Sequence, residues 1–139
     1  MRKLLVGLFL LLNLSANVQG QTAGDGVQFQ TIISGQLEAF KSGNGDTAYS
    51  FAAPTVKQIF PNVESFMGMV QRGYPPVYHN SGYEFGALGM DALGRPTQQV
   101  RIIGVDGEHY VAAYTMQQQP DGSWKISGCT LMKIEGVGV

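Results

Sequence analysis

The side chains able to do chemistry in this chain are few, and their spacing suits few reactions. Histidine occurs only as His79 and His109, with neither a His-x-His nor a His-x-x-x-His spacing. A metal site needs three or four convergent ligands, so no metal and no cofactor is expected. No serine stands in a Gly-x-Ser-x-Gly elbow, the strand-turn-helix setting of many hydrolase nucleophiles. Cys129 is the only cysteine. Its nearest cations in sequence are Lys125 and Lys133, too little to draw out a thiolate, so a packed strand cysteine is expected. A single cysteine also excludes an intramolecular disulfide and leaves the core alone to hold the fold. Gly43-Asn44-Gly45 joins two helical patterns rather than a strand and a helix, so it reads as a helix stop and cap, not a phosphate loop.

Arg101 is the most suggestive charge. Placed on one sheet face with Tyr110 and Tyr114, its guanidinium could receive a carboxylate while the tyrosine hydroxyls orient it. The alternative is that Arg101 snorkels to the sheet edge or pairs with Glu84 or Glu38. Tyr49, Tyr74 and Tyr83 could complete a pocket mouth, although aromatics at helix and strand positions are more often core. Asp46, Asp91, Asp106 and Asp121 all fall at expected caps or turns, which leaves no convergent acid, base and nucleophile.

Positioning these residues falls to a stretch from Thr97 to Met132, three apolar-rich segments separated by Asp106-Gly107 and Pro120-Asp121-Gly122. Glycine accepts the positive φ that tight turns demand, so the stretch reads as an antiparallel meander. A two-residue turn at Asp106-Gly107 pairs Ile103 with Tyr110 and Arg101 with Ala112. A three-residue turn at Pro120-Asp121-Gly122 pairs Met116 with Ile126 and Gln118 with Trp124. In that register Arg101, Ile103, Tyr110, Ala112, Tyr114, Met116, Trp124 and Ile126 face the helices. Val100, Ile102, Val111, Ala113, Cys129 and Leu131 form an opposite aliphatic face, and a homodimer through it is expected.

Ahead of the meander, Asp25 can cap a helix with apolar residues Phe29, Ile32, Ile33, Leu37 and Phe40 at helical spacing. Asp46 looks like the cap of a short helix from Thr47 to Ala53, stopped by Pro54. Thr55 to Phe60 adds a possible turn, and Asn62 opens a helix striped by Val63, Phe66, Met67 and Val70. Gly73 suits a left-handed helix end, and Tyr74-Pro75-Pro76 sends the chain out extended. Tyr83 to Leu88 is a further strand. The expected fold is α+β: three N-terminal helices packed on a mainly antiparallel four-stranded sheet.

Arg2 and Lys3, the apolar run Leu4 to Leu12 and the small residues ending at Gly20 read as a secretory signal peptide over residues 1–20. The run is too short for a stable membrane anchor, which needs about 20 apolar residues, so an exported, periplasmic or secreted protein is expected. One domain over 21–135 and a loose tail over 136–139 follow. Removing Arg2 and Lys3 from nine basic residues leaves seven against ten acidic ones, a net charge of −3. Nucleic acid and anionic lipid need clustered cations and are excluded as partners.

Gln36-Leu37-Glu38-Ala39-Phe40, Tyr74-Pro75-Pro76, Gln98-Gln99-Val100, Tyr114-Thr115-Met116 and Asp121-Gly122-Ser123-Trp124-Lys125-Ile126 occur in that order. Together they resemble the bacterial domain-of-unknown-function 4864 family, within the nuclear transport factor 2-like superfamily of α+β cones. The resemblance implies a curved sheet and a pocket between helices and sheet, used elsewhere in the superfamily for isomerisation, cyclisation, dehydration or plain binding. It carries no catalytic residues, and a shared fold does not license a shared reaction. The expectation is a non-catalytic domain that binds a small apolar or carboxylated molecule, or serves as an accessory subunit. The alternatives are a lyase or isomerase using the pocket, and a purely structural interaction module.

Overall fold

The computed structural model describes residues 23–136. The expected signal peptide and the last three residues of the expected tail lie outside them. Five helices precede the sheet: α1 (Ala23–Lys41), α2 (Gly45–Ser50), α3 (Pro54–Ile59), α4 (Val63–Gly73) and α5 (Pro75–Tyr78). Four strands follow: β1 (Asn80–Met90), β2 (Pro96–Gly104), β3 (His109–Gln118) and β4 (Trp124–Lys133). No helix among the described residues is long and apolar enough to cross a membrane.

The apolar stripe of α1 does what its spacing demands. Phe29, Ile33, Leu37 and Phe40 are at most 1% exposed, and each such burial is worth about 1.5–3 kcal/mol. Two helix N-termini, those of α2 and α4, are closed by asparagine. Asn44 Oδ1 accepts from Thr47 N at 3.2 Å and Asn62 Oδ1 from Ser65 N at 2.8 Å. Asn44, not Asp46, therefore caps α2. Gly73 stays inside α4, and Tyr74 ends the helix with φ −136°. The chain does not leave extended as Tyr74-Pro75-Pro76 suggested. Pro75 and Pro76 occupy the first positions of α5, where a missing N–H costs nothing because the first turn leaves it unbonded anyway. Three expected helices thus become five.

The sheet is an antiparallel meander in the order β1-β2-β3-β4, as the turn signals required. Its second hairpin differs by one residue from the expected register. Gly104 N donates to Glu108 O at 2.9 Å and Gly107 N to Gly104 O at 3.0 Å, which closes a three-residue loop. A type I′ turn needs positive φ at both central residues, and here only Gly107 has it, at φ 80°. Ile102 therefore pairs with Tyr110 and Arg101 with Val111. Gly104 is held to glycine by this geometry, since a Cβ would lie 2.5 Å from Asp106 Oδ1. The Pro120-Asp121-Gly122 turn has the expected three-residue form, pairing Met116 with Ile126 and Gln118 with Trp124.

This register redraws the two faces. Val100 and Ile102 are fully buried under the helices with Ala112, Tyr114, Met116 and Ile126. Trp124 meets Phe29 edge to face at 4.8 Å. A β-bulge at Thr115/Met116 shifts β4 by one residue, so Cys129 pairs with Tyr114 and Leu131 with Ala112, and both pack on the core. Arg101 and Ile103 go to the opposite face. The aliphatic surface expected to meet a second copy is consequently not one surface: Val100, Ile102, Cys129 and Leu131 belong to the inner face, and only Val111 and Ala113 remain outside.

Candidate functional site

A cavity of about 350 Å³ lies between the helices and the sheet, at the small end of the roughly 300–1,000 Å³ typical of ligand pockets. Its position follows from the packing. Helix α1 supplies Gln36 and Phe40, α4 supplies Phe66, Met69 and Val70, and the sheet supplies Tyr114 and the stretch from Ile126 to Cys129. That stretch carries the β-bulge, a feature often found beside binding sites because it re-aims side chains. Val56 and Ile59 of α3 form the outer rim, and Ile59 is 71% exposed.

Two backbone bonds fasten the rim to the sheet. Ile126 N donates to Phe51 O and Ala53 N donates to Ile126 O, both at 2.8 Å. After α3, Tyr49 Oη donates to Phe60 O at 2.6 Å. Between these ties α3 contributes no buried residue.

No lysine, arginine, histidine, aspartate or glutamate lines the cavity. Its polar side chains are nearly all engaged. Tyr74 Oη donates to Cys129 O at 3.1 Å, Gln36 Nε2 to Ala48 O at 3.1 Å and Ser127 Oγ to Thr115 O at 3.2 Å. Tyr114 differs: it is 1% exposed, and its Oη meets no oxygen or nitrogen partner within the protein. An unsatisfied buried hydroxyl costs about 1–3 kcal/mol. Its polar neighbour is the Cys129 thiol, which shares a side-chain hydrogen bond and a charge interaction with it, and a thiol is a weak partner.

Burial pushes the Cys129 thiol up to about 12. Burial first, and then the nearby thiol, raise Tyr114 well above the usual phenol range and raise Tyr74 less strongly. All three groups are protonated and uncharged near neutral pH. The wall can donate hydrogen bonds and exclude water, but it presents neither thiolate nor phenolate.

Of the residues marked out by sequence, Tyr114 lines the cavity. Arg101 is exposed on the opposite face, paired across the strands with Glu84 and Val111. Tyr110 faces inward near the sheet end, where its Oη donates to Asp106 Oδ2 at 3.1 Å. Tyr49 supports the rim through Phe60, and Tyr83 stacks edge to face on Phe85 at 5.8 Å. Tyr74, named only for a pocket mouth, stands in the wall. Gln36 carried a signal that went unread: a polar residue set among Ile33, Leu37 and Phe40 on the buried stripe of a helix. Among the described residues no three His, Cys, Asp or Glu side chains lie close enough to hold a metal ion.

A family model described as Domain of unknown function (DUF4864) matches residues 22–139, and the chain belongs to that family. No curated protein and no solved structure gives a significant match.

Proposed function

We propose, for this member of the Domain of unknown function (DUF4864) family, a small-molecule-binding role without catalysis of its own. The observation that carries the reading is the cavity: lined by aromatic and aliphatic side chains, with a few polar groups at the sheet end, it has the make-up of a ligand pocket. A lyase or isomerase would need a base there, and the wall offers none that ionises near neutral pH. A carboxylated ligand would need a cation, and Arg101 stands on the other face of the sheet. A purely structural module would be expected to fill this space with its own side chains.

Two finer readings accompany it. The succession of helices and bulged antiparallel meander, with a cavity between them, supports a place in the nuclear transport factor 2-like superfamily. The basic start, apolar run and small-residue end of residues 1–20 support export to the periplasm or medium, which N-terminal sequencing of protein from that compartment would test.

Binding is tested with N-phenyl-1-naphthylamine, an uncharged dye that brightens in apolar sites. Saturable, stoichiometric fluorescence is expected from the wild type. Met69→Trp, which fills the cavity from a partly buried position, is expected to weaken it at least about tenfold, a loss of roughly 1.4 kcal/mol. Absence of saturation in the wild type, or equal binding by a folded Met69→Trp, would sink the reading.

A further inference from the structure

We propose that the cavity takes the hydrocarbon end of an amphiphile and leaves the polar head in water at the α3 rim. The proposal rests on the small-molecule reading above and specifies its ligand. The polar side chains of the wall are committed to other protein groups. Gln36 Nε2 donates to Ala48 O, Tyr74 Oη to Cys129 O and Ser127 Oγ to Thr115 O, while the Tyr114 hydroxyl and the Cys129 thiol bond each other. No charged side chain stands among them. A polar atom carried inside would exchange its water bonds for partners already taken, and a charge would fare worse. The part of the ligand that enters is therefore hydrocarbon.

Volume and exposure say how much hydrocarbon and which way it lies. The cavity's volume of about 350 Å³, at the roughly 30 Å³ that a water-sized group occupies in a liquid, gives room for about a dozen carbons. The cavity is open to solvent, and the burial of its lining marks the open side. Ile59 of α3 is 71% exposed, whereas Phe40, Phe66, Val70 and Tyr114 are buried. The tail lies among the buried four, and Ile59 carries the apolar surface out to the water line, where tail meets head. A head left in water needs no partner from the wall, so its charge should matter little.

A chain-length series reads this directly. n-Alkylphosphocholines with tails of eight to sixteen carbons, each kept below its micelle concentration, are titrated by displacement of N-phenyl-1-naphthylamine. Affinity is expected to tighten about fourfold for each methylene added, the return on burying one CH₂, and to level off at about twelve carbons, where further methylenes stay outside in water. In Met69→Trp the same slope should stop at a shorter tail, because the indole takes part of the space. At physiological ionic strength, dodecyl tails carrying phosphocholine, maltoside, trimethylammonium or sulfate heads should bind within about fivefold of one another, since charges left in water are screened. Affinity that does not grow with the tail, or that grows unbroken to sixteen carbons as adsorption to an open surface would, overturns the proposal. So does a plateau that a folded Met69→Trp leaves in place, or a larger spread among the heads, the mark of a charged or polar partner. In each of those cases the dye still saturates and the pocket reading stands; a wild type that the dye does not saturate removes both. Should Met69→Trp not fold, the wild-type series and the comparison of heads decide.

Discussion

Cys129 shows how far local environment departs from composition. Its position in a strand was legible, but its partner was not. The bulge at Thr115/Met116 moved the thiol from the expected outer face to a place opposite Tyr114, and its one sequence signal is Gly128 inside the strand, a residue type that often marks a bulge. The burial that results has a measurable consequence. A thiol whose pKa rises from 9.0 unfolded to about 12 folded stabilises the protein fully below pH 9, and that contribution is lost as pH climbs through about 12. Tyr114 and Tyr74, also raised, act in the same direction. Urea midpoints measured from pH 8 to pH 11 should therefore fall, and fall less steeply in Cys129→Ala; equal slopes would contradict the assignment. Iodoacetamide at pH 8 should alkylate native Cys129 far more slowly than the unfolded chain. At the acid end the sign reverses. Asp91, Asp106 and Asp121 are held below the usual carboxylate range, chiefly by the backbone N–H of Arg95, the backbone N–H of Glu108 and the side chain of Ser123. Their contribution is present above about pH 3.8 and is lost as pH falls through their lowered values.

Among the elements, the hairpins carry the sharpest test, because a strand slipped by one residue exchanges its faces. Ala112→Glu would bury a carboxylate among Val100, Ile102 and Tyr114 and should prevent folding or cost several kcal/mol. Val111→Glu, one residue away on the outer face, should leave the melting temperature nearly unchanged. The register expected from sequence also puts Ala112 inside, so this pair tests the faces of β3, whereas Ile102→Glu against Ile103→Glu, for which that register predicts the reverse order, tests β2; expression with circular dichroism reads both. Gly107→Ala should destabilise by roughly 1–2 kcal/mol, since an L-residue there must take the left-handed conformation. The hairpins themselves were readable from Asp-Gly punctuation, and so was the buried stripe of α1. The failure at Asp106-Gly107 has a physical cause. The same dipeptide serves a two-residue turn with Asp at positive φ or a three-residue turn with only Gly there, and Asp106 Oδ1 favours the second by accepting from Glu108 N at 2.9 Å. Pro120 settled the choice in the next hairpin by fixing its own φ, whereas Val105 gave no such signal. Register then decided the site: Arg101 left it, and Val100 and Ile102 entered the core.

For the molecule as a whole, the cavity raises the question of entry, and the distribution of burial answers it. Helix α1 is locked by five buried apolar side chains, Phe29, Ile33, Leu37, Ala39 and Phe40, whereas α3 buries none and holds the rim with Val56 and Ile59. Local opening is easiest where few apolar contacts must be broken, so we predict that α3 opens before α1 and is the segment by which a ligand of the proposed pocket enters. Both of its ends are fastened. One is tied to β4 through Ala53 and Ile126, and the other is latched by Tyr49 Oη on Phe60 O. Tyr49, singled out in the sequence as a pocket tyrosine, thus acts on the pocket from outside by holding its rim, helped by Lys57 Nζ lying 4.8 Å over its ring. Hydrogen exchange followed by mass spectrometry should show Val56–Phe60 exchanging well before Phe29–Phe40. Tyr49→Phe removes the latch but keeps the ring, and a lost hydrogen bond of about 1 kcal/mol should speed exchange in α3 roughly fivefold while leaving α1 unchanged. Saturation with N-phenyl-1-naphthylamine should slow exchange in α3 in both proteins, because a filled cavity gives Val56 and Ile59 apolar surface to rest on. If α3 exchanges no faster than α1, or if the dye protects α1 alone, entry lies elsewhere and Tyr49 is an ordinary packed tyrosine.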